Sequence, residues 1–155
     1  GEGDALTSRE TGLALSVVTA DCVPILLAGD GEIAAVHAGW RGITAGVVRA
    51  TLDRLATPAD RLTAWLGPAI GQCCYEVGDE VAARVVAASD QGVARPGTGS
   101  RPHLDLHAAV SSQLRRAGVD EDGMFGPEFE NLFQQVSTLL LAASANSRNA
   151  RDADG

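Results

Sequence analysis

Apolar residues run through the first third of the chain in short blocks set apart by single polar positions. LALSVVTA (13–20) is apolar and β-branched, VPILLA (23–28) resumes after Asp21 and Cys22, and IAAVHA (33–38) follows the turn Gly29-Asp30-Gly31-Glu32. Runs of this length and composition, bounded by turn residues, predict three strands, so residues 13–38 read as sheet within a core, with His37 at a strand end. From Ile43 the period lengthens: Ile43, Val47, Val48, Thr51, Leu52 and Leu55 recur at helical spacing until Thr57-Pro58 stops the pattern. The glycines of Gly39-Trp40-Arg41-Gly42 then form a strand-to-helix turn.

Further along, LTAWL (62–66) predicts another strand, GPAIGQCC (67–74) a loop, and residues 79–89 a helix with Asp79 as N-cap. The glycines and prolines of 90–102 mark a surface loop. Leu106, Val110 and Leu114 give an amphipathic helix over 105–117, with Asp105 as N-cap and Gly118 at its end. Phe129, Leu132, Phe133, Val136, Leu139 and Leu140 repeat the helical signal over 128–143, and SANSRNARDADG (144–155) reads as a disordered tail. The expected fold class is α/β, a mixed sheet with flanking helices, in a single domain over residues 1–143.

Composition narrows the function. A chain of 155 residues that is 45% hydrophobic can bury one core and needs no second domain. Its net charge of -8, with no basic stripe, lacks the electrostatic footprint of a nucleic-acid or anionic-membrane binder, which points to small-molecule chemistry. All 12 positive charges are arginine, which excludes a Schiff-base or P-loop lysine within this sequence. Three cysteines, two of them adjacent, make no disulfide framework of the secreted kind, so a reducing cytoplasm is expected. No signal-peptide pattern and no bilayer-length apolar run is seen, and a soluble protein is expected.

Cys22 and His37 sit at breaks in apolar strands joined by a turn, so a hairpin would bring them together. A thiolate and a neutral imidazole are good ligands for zinc or copper, and equally a nucleophile and base for cysteine hydrolase chemistry. The plainer account makes Cys22 a small buried hydrophobe and His37 a satisfied core histidine. Their neighbours shift the balance: Asp21 adds a carboxylate, and Arg41 at a helix start offers an anion site for phosphate or carboxylate, if it is not held in a structural ion pair. Trp40 is a packing residue or a stacking face. Cys73 and Cys74 read as buried structural thiols, since successive side chains of an extended chain diverge and cannot readily share one metal. His103 and His107 read as surface histidines: no HExxH and no PCxxC accompanies them.

Three blocks, TADCVPILL (19–27), AAVHAGWRG (34–42) and GPAIGQCCYEVG (67–78), together resemble the YfiH-type family, over roughly residues 3–119. Members of that family are described as laccase-domain or multicopper polyphenol oxidase proteins, as purine nucleoside phosphorylases with adenosine deaminase activity, and as a peptidoglycan-editing factor. The resemblance implies a YfiH-like α/β fold grouped with cysteine hydrolases, and a zinc or copper ion held by one Cys and two His. Cys22 matches that cysteine and His37 one of the histidines. The second family histidine lies in a QVHG-like segment upstream of the ADC block, so the sequence is expected to begin inside the family domain. After Gly118 the family's CT-containing and FFSYRRDG-like segments are not recognisable in DEDGMFGPEFENLFQQ, so a divergent C-terminal part is expected.

The leading expectation is therefore a metal-dependent purine nucleoside phosphorylase with adenosine deaminase activity. It would take adenosine, inosine or methylthioadenosine together with phosphate, with Cys22 and His37 as metal ligands and Cys22, His37 and Arg41 as the catalytic set. Zinc is the expected metal and copper the alternative. The competing readings are a Cys22–His37 hydrolase acting on a peptidoglycan precursor, a copper polyphenol oxidase, and an inactive fragment. Multicopper oxidases gather many histidines, and the 3 in this sequence cannot supply them.

Overall fold

The computed structural model describes residues 3–97 and 99–126. A five-stranded mixed sheet forms its centre: β1 (Ala5–Ser8), β2 (Val23–Gly29), β3 (Glu32–Ala38), β4 (Thr63–Leu66) and β7 (Met124–Phe125), in the order β1-β3-β2-β4-β7. Neighbours are antiparallel except β4 and β7, which run parallel. A separate hairpin pairs β5 (Ala94–Pro96) with β6 (Pro102–Leu104). The helices are α1 (Trp40–Ala45), α2 (Val47–Leu52), α3 (Asp79–Ala88) and α4 (Leu106–Arg116). The mixed sheet with helices is the α/β architecture the sequence predicts.

Alternation along β2 and β3 divides the sheet into two faces. Val23, Ile25 and Leu27 of β2, with Ala34, Val36 and Ala38 of β3, are buried in the core. Ile43, Val48, Val85, Leu106, Val110 and Leu114 complete that core from the helices. The opposite face is more open, with Leu6 at 44%, Leu26 at 46% and Ile33 at 36% exposure. On it the register aligns Leu6, Ala35, Leu26, Trp65 and Phe125 in one apolar row across all five strands, and Trp65 stacks on Phe125 with ring centroids 6.0 Å apart. His37, two residues beyond Ala35, lies on this open side by the same alternation.

Several predicted elements are corrected. Residues 13–20 belong to no strand, and Val18 is 94% exposed. Both edges of β3 are already taken, by β1 and by β2, so LALSVVTA cannot pair with that strand. The helix expected from Ile43 starts at Trp40 and breaks at Gly46, whose φ of 82° ends α1 and begins α2. Gly78, not Asp79, caps α3; Asp79 and Glu80 stand in its first turn, where carboxylates favour the helix dipole. The loop at 90–102 contributes β5 and the start of β6. Asp105 does cap α4, accepting from the Ala108 N–H at 2.8 Å, and Gly118 follows its end with φ 96°. The expected helix over 128–143 and tail over 144–155 lie outside the described residues.

Candidate functional site

The β2–β3 hairpin pairs Val23 with Ala38, which sets Cys22 beside Gly39 just past the ends of both strands. Gly39 is the point on which the cysteine and the histidine converge. A Cβ built there would stand 2.8 Å from Cys22 Sγ and 3.9 Å from His37 Cε1. The backbone of Gly39 is ordinary extended chain (φ -84°, ψ 170°), so close approach and not conformational freedom calls for glycine. His37 is oriented from behind: its Nδ1 is hydrogen-bonded to Asp4 Oδ1 at 3.0 Å, and its N–H donates to Asp4 O at 2.7 Å. A carboxylate on one ring nitrogen fixes the tautomer and leaves Nε2 for a ligand or a proton.

The surroundings of Cys22 favour a cation. Burial, followed by the carboxylates of Asp21 and Asp4, pushes its thiol above the ordinary value. A metal ion in the same place would reverse that balance, because a coordinated thiol is deprotonated outright. The donor types suit zinc, but catalytic zinc takes three protein ligands and an open position. Among the described residues no group of three or more His, Cys, Asp or Glu could hold a metal ion. Cys22 and His37 are two donors of the types zinc takes, one fewer than such a site needs.

Arg41 makes no ion pair among the described residues. Its guanidinium lies 4.6 Å from the Trp40 ring centroid, and Arg84 of α3 lies 5.4 Å from the same ring. Because α1 has only six residues, the two guanidinium groups carry most of the positive field here. Tyr75 joins the group from the 67–78 loop. Burial first, then Cys22 and Asp21, raise its hydroxyl, while Arg41 acts in the opposite direction. The loop is tied down beside Cys22 by the Ile70 N–H donating to Asp21 O (3.0 Å) and the Gly67 N–H donating to Pro24 O (2.8 Å).

Tyr75 and Arg84 were absent from the residues singled out in the sequence. Tyr75 was within reach, since it stands inside the GPAIGQCCYEVG block; Arg84 has no such mark, because a surface arginine on a helix looks like any other until the helix is placed. Two other readings are overturned. Cys73 and Cys74 are exposed, and a turn brings their sulfurs to 2.9 Å instead of pointing them apart. His103 and His107 are half-buried anchors of the same loop: His103 Nδ1 bonds Gln72 O at 2.9 Å and His107 Nε2 bonds Gly67 O at 2.8 Å. No described helix is long and apolar enough to cross a membrane.

Residues 1–130 match the model of the family described as multi-copper polyphenol oxidoreductase laccase. A purine nucleoside phosphorylase of Streptomyces coelicolor is 48% identical over 124 residues, covering 76% of this chain and 50% of the relative. An adenosine deaminase from an unknown prokaryotic organism is 42% identical over 125 residues, 75% of this chain and 47% of that protein. Among solved structures, YlmD from Geobacillus stearothermophilus superposes with a TM-score of 0.73 at 31% identity, over 81% of this chain and 50% of that one. The chain thus spans about half the length of the relatives it matches.

Proposed function

The chain belongs to the family described as multi-copper polyphenol oxidoreductase laccase, and from that premise we propose that it serves as a purine nucleoside phosphorylase with adenosine deaminase activity, acting through Cys22, His37 and Arg41. The observation that carries this reading is the convergence of Cys22 and His37 over Gly39, followed at the start of α1 by Arg41, which makes no ion pair among the described residues. The names of the relatives from Streptomyces coelicolor and the unknown prokaryote supply the substrate class. A zinc ion held by Cys22, His37 and a third donor from outside the described residues would supply Lewis acidity; copper is the alternative.

In phosphorolysis, a phosphate oxygen bonds to the ribose C1′ while the C1′–N9 bond breaks, and its electron pair leaves with the purine, which takes up a proton. Arg41 neutralises and orients the phosphate through a planar two-pronged contact. The Trp40 ring, 4.6 Å from the guanidinium, helps to orient it before charge shifts. In deamination, water adds at C6 of the purine and ammonia departs, giving inosine from adenosine. Asp4 holds the His37 ring throughout, and Tyr75, kept protonated by burial, offers a hydrogen-bond donor on the Cys22 side.

One observation favours a second reading: Asp4, His37 and Cys22 are also arranged as the carboxylate, imidazole and thiol of a cysteine hydrolase. Against it, the raised Cys22 thiol is the reverse of an activated nucleophile. The test is to incubate the zinc-loaded protein with adenosine, inosine or methylthioadenosine and phosphate. Ribose 1-phosphate (or its methylthio analogue) with free base, or inosine from adenosine, supports the phosphorylase reading when chelation removes it and zinc restores it. Absence of all these products overturns that reading, and amide hydrolysis that persists under chelation installs the hydrolase.

A further inference from the structure

The adjacent pair Cys73–Cys74 stands apart from the reaction described above. In an extended chain the two side chains would point to opposite sides. Here the Cys74 N–H donates to Gly71 O at 3.0 Å, which closes a turn and sets the two sulfurs 2.9 Å apart, both of them exposed. The turn is anchored on both sides. Gln72 O bonds to His103 Nδ1 at 2.9 Å, and Tyr75 O accepts from the Leu104 N–H at 3.0 Å. Hydrogen bonding to Cys73 raises the Cys74 thiol, as expected of two sulfurs that share a proton.

Among the described residues no third His, Cys, Asp or Glu joins the two sulfurs to hold a metal ion, whereas a closed tetrahedral zinc site needs four ligands. The two sulfurs suit a centre that takes two thiolates from the protein and keeps its remaining ligand. We propose that Cys73 and Cys74 form a chelating dithiol site for a thiophilic trivalent centre, the chemistry of an organoarsenical(III). With an arsenoxide the balance is simple: the two S–H protons leave with the arsenoxide oxygen as water, two As–S bonds form, and arsenic remains trivalent. No oxidant is required. The second As–S bond closes within the molecule, so it forms at a high effective concentration, and the anchored turn has little freedom left to lose.

The probe is phenylarsine oxide, added to the reduced full chain and followed by intact mass and thiol titration. One equivalent should bind with loss of one water and of two titratable thiols, resist excess 2-mercaptoethanol, and be removed by 2,3-dimercaptopropanol. Cys73→Ser and Cys74→Ser should each weaken retention about a hundredfold, in line with the loss of a second linked contact. Cys22→Ser should leave retention unchanged, which separates this site from the zinc reading. No uptake by the unmodified protein overturns the proposal, as does equal retention by the Cys73→Ser/Cys74→Ser double variant. Melting curves of the variants verify that both serines are carried by a folded chain.

Discussion

The two ends of the β2–β3 hairpin are built to opposite specifications. At the turn end Glu32, Asp30 and Thr57 are tied into one network. The buried Glu32 carboxylate accepts from the Thr57 N–H and pairs with Arg9 at 3.0 Å, the Asp30 N–H donates to Thr57 Oγ1 at 2.9 Å, and Arg61 reaches Asp30 at 2.6 Å. At the open end the Cys22 thiol is raised, neither Cys22 nor Arg41 is in an ion pair among the described residues, and a glycine lets Cys22 Sγ approach where a Cβ would stand 2.8 Å away. Polar groups satisfied internally make a rigid clamp, and groups left facing one another without satisfaction make a place for a ligand. The seven paired positions between them, about 20 Å of strand, hold the two ends in register and make the turn end the fixed support for the site.

That contrast can be broken from either end. The largest effect is expected from Cys22→Ala or His37→Ala: phosphorolysis should fall roughly 10³-fold, with the melting temperature held within a degree or two by the intact turn end. Steady-state assay and thermal melting on the same preparations decide it, and a parallel loss of stability would show that the two ends are not separable. Next comes Gly39→Ala, whose methyl would press on Cys22 Sγ. Displacement of about 1 Å in a reacting constellation costs on the order of 10² in rate, and because the backbone is extended there, the fold should hold.

The turn end should respond in the other currency. Gly29→Ala drives a methyl into Thr57 and Leu62 and should destabilise by about 1–3 kcal/mol, the usual cost of overpacking, leaving the turnover of the folded fraction unchanged; denaturant melts with a parallel assay measure both. The smallest effect concerns pH. Hydrogen bonds from Thr57, then Arg9, hold Glu32 at about 2 against an ordinary 4.5. A depressed folded value means that the stabilisation is complete above about 4.5 and is lost as pH falls through about 2. Melting temperatures between pH 6 and about 2 should therefore fall less steeply for Glu32→Gln than for the unmodified chain, and identical slopes would remove Glu32 from the clamp.

Much of the candidate site was legible because it is local. A turn of Gly29 to Glu32 between two apolar runs dictates a hairpin, and the hairpin register then dictates that Cys22 and His37 meet. The cap at Asp105 is likewise a short-range interaction. What the sequence hid depends on contacts between distant segments. LALSVVTA has the composition of a strand yet stays outside the sheet, whereas ALTS, four residues long, takes the edge of β3. Gly46 lies inside a helical pattern, and only its left-handed backbone reveals that it divides two helices. His103 and His107 are held by carbonyl groups more than 30 residues away, and the position of Arg84 against Trp40 depends on how α3 packs against α1.

The row Leu6, Ala35, Leu26, Trp65 and Phe125 crosses the sheet one register step, two residues or about 7 Å, from the level of His37 and Pro24. The wall of the reactive pair therefore continues into a surface that water wets poorly. Whatever settles flat across those strands displaces weakly held water and lowers the local dielectric around Cys22, His37 and Arg41. Each charge there then acts more strongly on its neighbours. The open face thus gives the site a means of drying itself by the act of being covered.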